Sequence, residues 1–100
     1  MNMQQMMAQA QKMQRELRKA QAELAQKEFV ISKGGAVTVT VLGSKEIKEV
    51  KIDADAFDAD NKEMIEDMIA LAINEALEQI KAAEEEINER ITGQPGGFGI

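Results

Sequence analysis

The sequence predicts an α+β fold: a long N-terminal helix, a three-stranded antiparallel meander and a long C-terminal helix. Three observations carry that expectation. Up to Lys27 the apolar residues recur at alternating steps of three and four, the helical period. Between Glu28 and Ile52 the period drops to two and is broken by Gly34-Gly35 and by Gly43. From Asn61 to Ile91 the helical period returns.

The first helix is expected over Met3 to Lys27. Its apolar positions are Met3, Met6, Ala10, Met13, Leu17, Ala20 and Leu24, the a and d sites of a coiled-coil seam. With Ala10 at a, Met13, Leu17, Ala20 and Leu24 fall at d, a, d and a. Met6, Met13, Leu17 and Leu24 therefore form a packing or dimer seam. On the same register Lys12, Arg15, Arg18 and Lys19 occupy c, f, b and c, all turned away from the seam. The two acids, Glu16 and Glu23, flank it at g. One helix thus offers a stripe for a partner helix and a separate basic face.

The strands follow in order. Glu28 to Ser32 reads as a short strand, and Gly34-Gly35 supplies the positive φ angles of a tight hairpin. Ala36 to Leu42 places Val37, Val39 and Val41 on one face and Thr38 and Thr40 on the other, as in a half-buried strand. Gly43-Ser44 marks a second turn. In Glu46 to Ile52, Val50 and Ile52 share a face while Ile47 is out of phase, the sign of a bulge or a later start.

Asp53 to Asp60, read DADAFDAD, has the alternating acids of a calcium loop but fails its other requirements. Counted from Asp53, Phe57 stands at position 5, Asp58 at the glycine position and Met64 at the glutamate position. The run is read instead as a turn, with Phe57 tucked into the core and Asp60 capping the next helix. That helix carries a broad apolar face from Met64 to Ile91, and its last turns are acidic at Glu84, Glu85, Glu86 and Glu89. Residues 1–92 make a single α-β-β-β-α domain. Residues 93–100, with Pro95 and four glycines, read as a flexible tail in which Phe98 and Ile100 are the only large apolar groups.

The net charge of −6 would argue against a nucleic-acid partner, yet the charge is segregated. Residues 1–27 hold five cations against two acids, a balance of +3, and the remainder carries −9. No apolar run approaches the roughly 20 residues that span a bilayer. MNMQQMMAQAQ lacks the basic start of a signal peptide, so a cytoplasmic protein without a membrane partner is expected. The absence of cysteine rules out disulfides and thiolate metal sites.

The two helices are too long for this sheet. About 25 residues of helix extend about 38 Å, whereas a seven-residue strand covers about 23 Å. Either the helices pair within the chain or two chains pair, and a homodimer is favoured because symmetric dimers are the commonest oligomers.

The order of elements and several segments resemble the YbaB/EbfC family of bacterial nucleoid-associated proteins. The resemblance lies in Met6-Met7-Ala8-Gln9-Ala10-Gln11-Lys12-Met13-Gln14, the strand from Gly35 to Val41, Val50-Lys51-Ile52-Asp53 and the helix start from Asp60 to Ile69. The ending with Pro95 and Phe98 also looks like the family's. Two departures stand out: Ala54 where members often have proline, and Leu42-Gly43 where they have Asn-Gly. The resemblance implies a cytoplasmic, nucleoid-bound intertwined homodimer with projecting helices, and no catalysis. The residues agree on the last point, since without histidine, cysteine, tyrosine or tryptophan no nucleophile–base arrangement assembles. No cofactor, metal or small-molecule substrate is expected.

The function read from the sequence is therefore DNA binding by a homodimer whose projecting helices present Lys12, Arg15, Arg18 and Lys19 to phosphates. Gln4, Gln5, Gln9, Gln11 and Gln14 are secondary candidates for hydrogen bonds there. The alternative is a coiled-coil interaction module or prefoldin-like holdase. In that reading the Met-rich end (Met1, Met3, Met6, Met7, Met13) grips clients and the cations are only solvated.

Overall fold

The computed structural model describes residues 2–93. All of the predicted tail except Gly93 lies outside them. Helix α1 runs Met3–Gln26, strands β1, β2 and β3 run Glu28–Lys33, Val37–Leu42 and Ile47–Ile52, and helix α2 runs Lys62–Thr92. The sheet is antiparallel in the order β1-β2-β3. The α+β architecture expected from the periodicities is the one observed.

The first hairpin closes where both central residues of the turn adopt positive φ, 57° at Gly34 and 66° at Gly35, and Ala36 N–H donates to the Lys33 carbonyl at 3.0 Å. A mirror-image turn of this kind matches the right-handed twist of the strands, and side chains resist it. The irregularity expected near Ile47 is a β-bulge. Thr40 pairs with Glu49 and Val41 with Ile47, leaving Lys48 as the extra residue. That one insertion returns Ile47 to the face of Val50 and Ile52. On the opposite face Lys48 Nζ donates to Glu28 Oε2 at 2.8 Å, tying the two outer strands together. The hydrogen bond and the charge of Glu28 raise the pKa of Lys48 above its ordinary value.

One face of the sheet makes the core. Phe29 and Ile31 of β1 lie opposite Val41 and Val39 of β2, and all four are buried with Val37. Ile65, Ala72, Ala76 and Ile80 of α2 pack onto them. The alanines let the helix axis approach the valines closely, and Ile80 fills the space beyond. Two ion pairs show how α2 lies: Lys33 of β1 meets Glu75 at 3.0 Å and Lys45 of the β2–β3 turn meets Glu84 at 3.7 Å.

The helix covers β1 and β2 and leaves β3 at its side. Ile47 and Val50 face the same way as the core valines, yet remain 48% and 41% exposed. Ile73 and Leu77 are half-buried on the side of α2 that carries Glu84, so they border the same uncovered strip.

Two local expectations are corrected. Phe57 does not enter the core; it is 74% exposed, and Ala56 packs there in its place. Backbone bonds from Ala56 and Phe57 to the Asp53 carbonyl coil the loop tightly and direct the phenyl ring outward. Nor does Asp60 cap the helix. Asp58 accepts the Asp60 N–H at 2.8 Å and starts a short 3-10 turn over Ala59–Asn61, which leads into α2. Asp53 likewise accepts the Asp55 N–H, so the acids of this run serve backbone turns.

Candidate nucleic-acid interface

Among the described residues, helix α1 is mounted on the body through its C-terminal half. There the last carbonyls of the helix, which have no intrahelical partner, are taken up by the β2–β3 turn. Ser44 N–H donates to the Ala25 carbonyl at 3.1 Å and Gly43 N–H to the Lys27 carbonyl at 2.8 Å. Gly43 sits so tightly against the helix that a Cβ there would lie 1.8 Å from the Leu24 oxygen. Lys45 completes the turn at φ 76°, its N–H on the Leu42 carbonyl.

Above this joint α1 runs beside the C-terminal turns of α2. Ala20, Glu23 and Leu24 lie against Ala83, Glu86, Ile87 and Arg90, and one turn further out Glu16, Lys19 and Ala20 lie against Arg90 and Ile91. The two helices are therefore antiparallel here. The contact ends with α2, which Gly93 terminates at φ 75° with its N–H on the Glu89 carbonyl. Among the described residues, nothing packs beside α1 before about Glu16, and the molecule measures 69 Å in its longest dimension against 23 and 16 Å in the others. The tip is closed by a reciprocal cap: Asn2 Oδ1 accepts the Gln5 N–H at 2.8 Å and Gln5 Oε1 accepts the Asn2 N–H.

The seam residues divide along the arm. Leu24 is buried at 8% exposure, Leu17 is half-buried, and Met13 and Met6 are 39% and 57% exposed. The four candidate cations are all exposed; Lys12, Arg15 and Arg18 lie on the side of α1 away from α2, and Lys19 stands at the edge of the cleft that Arg90 also lines. Lys12 stands 4.0 Å from Glu16, the next turn's acid. Arg15, Arg18 and Lys19 have no carboxylate within ion-pair distance among the described residues. The body is different: Glu28, Glu66, Glu75 and Glu84 are each engaged by a lysine. Lys27, at the base of the arm, lies 5.2 Å from the Phe29 ring centre.

Chemically, this is a row of exposed guanidinium and ammonium groups on a helical rod, suited to anionic oxygens spaced along a polymer. Sequence periodicity missed Arg90, which α2 carries to the flank of Lys19 and Glu23. Its basic charge is visible among acids in the last turn, but its proximity to α1 depends on the antiparallel pairing. Among the described residues no cluster of acids can hold a metal ion, and no helix is long and apolar enough to cross a membrane.

Residues 1–95 match the YbaB/EbfC DNA-binding family. The chain belongs to that family. It is 46% identical to a nucleoid-associated protein of Clostridium novyi, an alignment that covers all of this chain and 86% of the relative. A nucleoid-associated protein of Agathobacter rectalis is 47% identical over 96% of this chain and 86% of its own length. One from Clostridium acetobutylicum is 44% identical over 99% and 87%. The family resemblance drawn from the residues is thus established over nearly the whole chain. As a YbaB/EbfC chain it belongs with DNA-binding proteins, a class defined by binding and not by catalysis.

Proposed function

We propose that this protein binds duplex DNA at the nucleoid as a homodimer, with the outer faces of two projecting α1 helices carrying the phosphate contacts. The observation that carries the reading is charge placement. Lys12, Arg15, Arg18 and Lys19 lie on the exposed surface of the α1 arm, whereas the body carries an excess of acids that its lysines only partly offset. An acidic body repels DNA and confines contact to the arms. The dimer is supported by the strip of Ile47, Val50, Ile73 and Leu77, which a second copy covers by symmetry. Two arms then bring eight cations to one duplex.

The test is binding to a short duplex across a salt series, with Arg15→Glu, Arg18→Glu beside the wild type and its helicity and mass checked. Binding that weakens steeply with salt and is lost in the double variant supports the reading. A wild type that fails to bind at low salt overturns it. The exposed methionines of the arm favour a second reading, an interaction module or holdase. Under that reading the double variant keeps its client binding.

A further inference from the structure

The projecting half of α1 carries an apolar stripe that nothing among the described residues covers. Met3 and Ala10 stand at a, and Met6 and Met13 at d, of the same heptad register whose later members, Leu17, Ala20 and Leu24, pack beside α2. The seam therefore continues past the end of its intrachain partner. What flanks it decides which partner fits. The e and g sites along this stretch are Met7, Gln9 and Gln14, none of them charged, while the cations keep to b, c and f. Those flanking sites govern whether two helices repel each other. A second copy of the same stripe meets no like charge at the contact, and its cations remain outside.

We propose that the α1 tip is a self-association surface that pairs with the α1 tip of a second copy, separate from the Ile47–Val50 strip. It joins one dimer to another. The inference uses the dimer of the preceding reading for its stoichiometry but not DNA binding. The stripe from Met3 to Met13 is about 16 Å long, below the length at which short helices hold together unaided in water. Pairing is accordingly weak between free molecules and strengthens when many copies are held close together, as along one polymer. The cation face is not consumed, so arms that pair can still hold phosphates.

The chain has no cysteine, so a single Met6→Cys substitution supplies one thiol per chain. Copper-catalysed air oxidation of the full chain without DNA should link Met6→Cys about ten-fold faster than Gln11→Cys, a b-site control on the outer face, because pairing raises the local concentration of thiols. The linked product should have the native mass of two dimers. In the cysteine-free chain, Met6→Glu, Met13→Glu should remove the larger species at high concentration and keep the dimer and its helicity. Equal cross-linking rates for the two thiols overturn the proposal. So does a linked product of dimer mass, which would place the tips together inside one dimer. A third refutation would be faster linking of Met6→Cys once Phe98→Ser and Ile100→Ser are added, showing that the chain's own tail occupies the stripe. Because DNA is absent, failure here leaves the phosphate-binding reading standing, and failure of DNA binding leaves this one standing.

Discussion

Gly43 and Leu24 touch backbone to backbone: a methyl group on residue 43 would stand 1.8 Å from the Leu24 oxygen and 2.6 Å from its carbonyl carbon. Neither group can yield easily, because the Gly43 N–H holds the Lys27 carbonyl one turn on. Gly43→Ala should therefore push α1 off the β2–β3 turn. We expect a loss of about 3 kcal/mol, the upper range for overpacking, read by chemical denaturation. DNA affinity should fall as well, because the arms leave their angle.

The seam should show a gradient of energetic importance along its length. Leu24→Ala empties a buried position and should cost about 2–4 kcal/mol of stability. Met6→Ala, on the projecting half, should change it by less than about 0.5 kcal/mol. Equal losses at the two positions, measured in one denaturant series, would show that the tip is covered in the folded protein after all.

If all eight cations of a dimer engage phosphates, log K should fall against log salt with a slope near −7. Arg15→Gln with Arg18→Gln removes four of them and should make the slope shallower by about 3.5. Glu16→Gln should act the other way. It frees Lys12, now 4.0 Å from that acid, and should tighten binding several-fold at low salt.

Val50→Lys should produce a monomer. Val50 is already 41% exposed in the single chain, so the charge costs the fold little, whereas at a dimer contact it would be buried without a partner. Sedimentation should give half the wild-type mass with unchanged helicity. DNA binding should weaken far more than the loss of one contact would explain, because one arm must then bind alone.

Local chemistry made most of the fold legible. The glycine pair, the valine alternation and the two helical periods each depend on neighbours within a few residues, and all three reappear in place. Even the bulge at Lys48 was visible as the phase error of Ile47. What failed depends on the path of an irregular loop or on atoms distant in the chain. Phe57 is apolar and follows a strand, which favours burial, but the coiled loop after Asp53 points it outward. Phe57→Ser should accordingly leave stability within about 0.5 kcal/mol of wild type in thermal unfolding of the monomeric Val50→Lys form. Gly43 reads as an ordinary turn glycine, since the helix it meets lies nearly twenty residues earlier in the chain. Arg90 reads as one charge among glutamates until antiparallel packing sets it beside α1. The cations of α1 were legible because a helix by itself sorts its faces.

The single joint at the base of α1 has a mechanical meaning. Among the described residues α1 is held from about Glu16 to its end, so the stretch from Met3 to Arg15, about 20 Å of helix, projects. A tilt of about 15° at the grip carries the tip through about 5 Å, nearly half the width of a major groove. The arm behaves as a cantilever whose tip travel is large for small strain at the root. Such compliance lets one protein follow duplexes of differing groove width and curvature, and the stiffness of that spring is set at a position where the chain carries no side chain at all.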